Sequence, residues 1–126
     1  MENKISLVLI LMILGHLLAD YTLQGWLAQA KSKSFWENAK KENKLDYIPA
    51  LVCHSLMWSI LILIPIIWFD YQILNWFWIS VPINAIIHCI IDDLKANKKI
   101  INLWQDQVAH LCQIVITWLL WIAIFY

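Results

Sequence analysis

The chain contains no arginine, and Asp, Glu and Lys together make up only 14% of its 126 residues. A soluble globular domain carries roughly a quarter. A formal net charge of zero argues against a nucleic-acid partner. The three cysteines, Cys53, Cys89 and Cys112, sit inside apolar runs without paired spacing. They read as small buried hydrophobes rather than metal thiolates or disulfide partners. No small-x-small cleavage pattern follows the first apolar run, which is also too long for a signal peptide, so residues 1–24 read as a retained span. A small-xxx-small stripe is missing as well. A homodimer is compatible with a bundle this small, but its interface is not marked.

What the chain does have is hydrophobicity, at 62% of residues. Four apolar stretches, approximately 5–23, 48–69, 72–94 and 103–126, each reach the length of about 20 residues that a helix needs to cross a bilayer. The expected fold is an all-α integral membrane protein, one domain over 1–126, built as a four-transmembrane-helix antiparallel bundle. Pro49 suits a first helical turn, whereas Pro65 and Pro82 fall inside spans and should kink them. Asp70 and Tyr71 leave room only for a tight hairpin, and Lys95–Lys99 forms another short turn.

The long connection, 25–47, carries Lys31, Lys33, Lys40, Lys41 and Lys44. Ser34 and Glu37 fit a capping box opening a short helix of about 35–43, with Trp26, Phe35 and Trp36 giving it an apolar, interfacial side. A basic loop without such a helix is the plainer alternative. Eight of the nine lysines fall in the 25–47 and 95–102 connections. The positive-inside rule makes that side cytoplasmic, with both termini outside, which suits a bacterial cytoplasmic membrane. Trp26, Trp36 and Trp104 would mark the inner boundary, and Trp68, Trp76, Trp78, Trp118 and Trp121 the outer one.

Ionisable residues are rare inside such spans and normally serve the bundle interior. Here His16, Asp20 and Gln24 are spaced four apart, as are His88 with Asp92 and Asp106 with His110, and His54 stands alone in span two. On a helix each set shares a face. Because alternate spans run in opposite directions, these groups meet at one depth, roughly 5–15 Å inside the cytoplasmic boundary. His16, Asp20, His54, His88, Asp92, Asp106 and His110 are therefore candidate metal ligands. Gln24 and Gln107 are candidate outer partners, and Asp20 or Asp106 a candidate general base. Three His and an Asp suit zinc; the full set would hold one or two divalent ions, with Mn or Fe as alternatives. Asp93, turned about 100° from Asp92, is expected at the interface or paired with Lys95. Ser55 reads as packing.

With these residues laid out, the chain resembles a bacterial and phage membrane family known as domain of unknown function 3307. The resemblance rests on His16-Leu-Leu-Ala-Asp20-Tyr-Thr-Leu-Gln24, the His54 segment, His88-x-x-x-Asp92 and Asp106-Gln107-x-x-His110. Tyr21 stands where that family usually has Phe. The resemblance implies the membrane topology and the importance of the polar set, and no reaction. The residues themselves suggest a membrane-embedded, metal-dependent hydrolase acting on a lipid or lipid-linked substrate near the cytoplasmic leaflet. Three alternatives stay open: a proton or divalent-cation transporter or channel component, a haem protein, and a small membrane protein whose His/Asp cluster is structural.

Overall fold

The computed structural model describes residues 2–40, 43–70 and 73–126. Lys41 and Glu42 of the long connection, and Tyr71 and Gln72 of the expected hairpin, lie outside the described residues. The chain enters as α1 (Glu2–Leu17), which continues into a π-helical segment, Leu18–Leu23. A one-turn α2 (Leu27–Ala30) and a 3-10 turn (Lys33–Trp36) follow, then three long helices: α3 (Tyr47–Phe69), α4 (Leu74–Ala96) and α5 (Leu103–Phe125). Among the described residues, four helices are long and apolar enough to cross a membrane: Asn3–Leu23, Tyr47–Phe69, Leu74–Ala96 and Leu103–Phe125. The protein is thus an all-α, multi-pass membrane protein. In an apolar medium every backbone polar group must be satisfied within its own segment, which helices achieve. Both α3 and α4 continue through their internal prolines, Pro65 and Pro82.

The bundle is apolar outside, and its buried histidines lie within. Ile79, Ile86, Ile90 and Ile116 are more than half exposed, whereas His54, His88 and His110 are fully buried. Helix α3 packs on both α1 and α4, and α5 lies against α4 and α1. Gly15 permits the close crossing of α1 and α3: a Cβ there would meet the Leu61 carbonyl oxygen at 2.7 Å. Away from the lysine-rich end the interior is apolar, filled by Val8, Met12, Ile62, Ile66, Phe77 and Trp121. Trp121, expected at the outer boundary, is fully buried in this core. Cys53 and Cys112 face outward and Cys89 is half-buried, so the expected burial of the cysteines does not hold.

Among the described residues of 35–43 the expected helix does not form; the connection holds instead the short turns at Leu27–Ala30 and Lys33–Trp36. Ser34 caps nothing; its hydroxyl meets the Ser32 hydroxyl at 2.7 Å. Residues beyond Trp36 offer little apolar surface to pack, and a helix that short is marginal without packing. A genuine capping box occurs instead at the start of α5. There Asn102 Oδ1 accepts from the Gln105 amide at 3.0 Å, and Gln105 Oε1 from the Asn102 amide at 2.9 Å. Asn97, at the end of α4, ties the long connection down. Its Oδ1 accepts from the Lys33 amide at 2.7 Å, and its Nδ2 donates to the Lys31 carbonyl at 3.2 Å.

Candidate metal centre

His54 lies seven residues from the start of α3, His110 seven from the start of α5, and His88 eight from the end of α4. At 1.5 Å per residue, each is about 10–12 Å from the lysine-rich end of the bundle. That equality puts them in one layer. The π-helical turn brings Asp20 inward beside them, where it is 7% exposed. A π-turn inside a membrane helix commonly marks a functional site.

Three overlapping trios place their ligand atoms within 4.8 Å of one another: Asp20, His88 and His110; His54, His88 and Asp92; and Asp92, Asp106 and His110. His54 Nε2 is near the centre, 3.2 Å from His88 Nε2 and 3.3 Å from both Asp20 Oδ1 and Asp92 Oδ2. His110 Nε2 lies 3.4 Å from Asp92 Oδ1 and 3.4 Å from Asp106 Oδ1. The carboxylate of Asp92 therefore faces two trios, one with each oxygen. Among the described residues, Asp20 Oδ1, Asp106 Oδ1 and His110 Nε2, which face the cluster, are buried without a hydrogen-bond partner, as are the Nδ1 atoms on the far side of the His54, His88 and His110 rings. Uncompensated polar atoms cost about 1–3 kcal/mol each, so a cluster of them calls for a ligand that satisfies several together.

His16 is placed differently and belongs to none of the trios. Its Nδ1 accepts the Trp58 indole N–H at 2.9 Å, and its Nε2 faces Gln107 Oε1 at 3.2 Å. An indole only donates, so the His16 proton sits on Nε2 and goes to Gln107. Gln107 Nε2 in turn donates to Asp106 Oδ2 at 3.0 Å. An ordered chain thus runs from Trp58 through His16 and Gln107 to Asp106. The 3.4 Å approach of His16 Nδ1 to Asp20 Oδ2 carries no proton. Gln24, the last member of the expected stripe, turns back to donate to the Asp20 backbone carbonyl and does not enter the cluster.

Three participants were not anticipated from sequence. Lys31 Nζ lies 2.7 Å from Asp92 Oδ2, and Lys95 Nζ 2.6 Å from Asp106 Oδ2. Lys95 is therefore not the partner of Asp93, which takes Asn97 at 2.8 Å and Lys98 at 3.5 Å. The third is Trp58, which stacks on His88 at 4.2 Å, with His88 stacked on His110 at 4.1 Å. The signal for Trp58 was its position four residues after His54, one turn along the same face. Ser55 donates to the Leu51 carbonyl at 2.8 Å, a packing role.

Toward the apolar end a second buried network joins α4 and α5. Asn84 Oδ1 accepts from Gln113 Nε2 and from Thr117 Oγ1, both at 2.9 Å. Toward the lysine-rich end the cluster opens into a polar cavity of about 210 Å³ lined by Asp20, Tyr21, Gln24, Lys31, Asp92, Lys95, Leu103 and Gln107.

Fold and site together define a four-helix membrane protein with a buried His/Asp centre. The chain belongs to the family described as "Protein of unknown function (DUF3307)", whose pattern matches residues 8–125. No curated protein and no solved structure matches it.

Proposed function

We propose that the cluster binds a divalent metal ion, zinc by its mixed His and carboxylate donors, and that the protein is a metal-dependent hydrolase of a lipid or lipid-linked substrate. The observation that carries this reading is the convergence of three His/Asp trios, in which Asp20 Oδ1, Asp106 Oδ1 and His110 Nε2 are buried without a hydrogen-bond partner among the described residues. His54, His88, His110, Asp92 and Asp106 are the ligand set, and Asp20 stands beside them as a further ligand or as the base. Asp92, with an oxygen toward each of two trios, would help hold an ion at either. His16, Gln107 and Trp58 act as positioning residues that fix Asp106 and the His88 ring. A bound ion would supply Lewis-acid polarisation and an acidified water.

Of the two candidate bases, Asp20 is the better placed, because it lines the open cavity while Asp106 is tied to Lys95. A layer about 10–12 Å deep suits a bond at or just below a lipid headgroup. The apolar core beyond Asn84 favours this reading over ion conduction, which needs polar groups continuing to the opposite face. The lysine-rich connections orient the open end toward the cytoplasm, with both termini outside a bacterial inner membrane.

The test is elemental analysis of detergent-purified protein beside an equally folded His88→Ala, Asp92→Ala double variant. Stoichiometric zinc, manganese or iron in the wild type alone is the expected result. Its absence from wild type, after reloading with metal to exclude stripping, would reject the hydrolase.

A further inference from the structure

The cavity that gives access to the cluster is flanked by two lysines from different parts of the chain, Lys31 after α2 and Lys95 near the end of α4. Each makes one short ion pair with a cluster carboxylate, Lys31 with Asp92 and Lys95 with Asp106. Lys31 is held in place by its own backbone, since the Lys31 carbonyl and the Lys33 amide are both bound by Asn97. The same two aspartates belong to the metal trios. At Asp92 the Lys31 ammonium and the cluster share Oδ2, whereas at Asp106 Lys95 holds Oδ2 and His110 faces Oδ1; in both, an ion on the carboxylate would weaken its hold on its lysine.

Charge balance sharpens the point. With the histidines neutral, as metal ligation requires, three carboxylates and two ammonium groups leave one net negative charge at the centre, and one divalent ion turns that into one net positive charge. Two flexible, point-like cations at the rim of a positively charged cavity are suited to an anion with several acceptor oxygens. Lys95, with a side chain 33% exposed, can turn from Asp106 toward the cavity without entering the apolar core.

We propose that the cavity is a phosphate-recognition site: Lys31 and Lys95 neutralise Asp92 and Asp106 before the ion binds, and afterwards grip the phosphate or phosphodiester group of the substrate. The proposal rests on the metal reading above and names the substrate class of that site.

Purified protein in neutral detergent would be titrated by calorimetry with inorganic phosphate, ion-free and zinc-loaded, and then with phosphatidic acid in mixed micelles. Zinc content would be measured on every sample. Zinc-loaded wild type should bind phosphate at least about tenfold more tightly than ion-free protein. Lys31→Met and Lys95→Met should each lose about tenfold in phosphate binding while keeping the zinc. Lys31→Arg and Lys95→Arg retain the charge without leaving a buried carboxylate unpaired, and should bind phosphate nearly as wild type does. Tighter capture of phosphatidic acid assigns the site to a lipid headgroup; equal or better capture of inorganic phosphate assigns it to a soluble ester. Zinc binding with no affinity for either ligand, or Met variants that bind as wild type, would overturn the proposal while leaving the metal site standing. Failure to bind zinc at all would overturn both.

Discussion

Trp58 donates its indole N–H to His16 Nδ1 over 2.9 Å while its ring lies 4.2 Å from that of His88. One side chain on α3 thereby sets the tautomer of a histidine on α1 and the plane of another on α4. Replacing Trp58 by Phe keeps the stacking and removes the donor. The expected outcome is a fall of about tenfold or more in zinc affinity, with unchanged helical content by circular dichroism. Competition with a chromophoric chelator reads it.

His16 and His54 should behave differently although both are buried histidines. With both ring nitrogens engaged by protein partners, His16→Gln should retain the stoichiometric ion with weakened affinity. His54→Gln should lose the ion, since His54 Nε2 lies within 3.3 Å of three other ligand atoms. Equal metal content in the two purified variants would contradict this division of roles.

Gly15→Val tests the α1–α3 crossing. The added Cβ would meet the Leu61 carbonyl oxygen at 2.7 Å, backbone that moves only with its helix. Overpacking of this kind typically costs about 1–3 kcal/mol, and equilibrium unfolding in mixed micelles should show it. The displacement of neighbouring His16 should lower ion affinity in the same variant.

Asn84→Leu removes the acceptor shared by Gln113 and Thr117. Hydrogen bonds between membrane helices average about 0.6 kcal/mol, with a maximum near 1.7, so a loss of about 1 kcal/mol is expected. Metal content should not change, because these side chains are outside the trios. A variant that lost its ion would extend the centre one turn further than the geometry assigns.

If the proposed centre holds an ion, its removal should destabilise the whole bundle, since the proposed ligands come from the first span, α3, α4 and α5. Loading at a free concentration of 100 times the dissociation constant stabilises by about 2.7 kcal/mol. A chelator should therefore lower the thermal midpoint of the wild type and leave that of the His88→Ala, Asp92→Ala variant unmoved.

The spans were legible because a membrane helix announces itself by length and hydropathy, and the observed helices begin and end within a few residues of the expected ones. The common depth of the histidines was legible too: antiparallel helices with short turns put equal distances from their ends at equal depths. The Ser34 cap misled because a cap describes only the first turn, and whether a helix continues depends on what its next residues can pack against. Lys31 and Lys95 read as orientation signals because a lysine's long stem hides where its charge ends. Lys31 reaches a residue 61 positions away in the chain, and Lys95 one that is 11 away.

The sequence by itself determined the membrane-spanning helices and the buried layer of His and Asp, since each follows from local spacing and the cost of leaving polar groups in hydrocarbon. Only the tertiary structure decided which members of that layer face one another. The π-turn re-aims Asp20, Trp58 and Gln107 take up both nitrogens of His16, and Lys31 and Lys95 close on Asp92 and Asp106. The side chain at the far end of a contact lies on another helix, and its direction is set by packing between helices, which no spacing along one helix encodes.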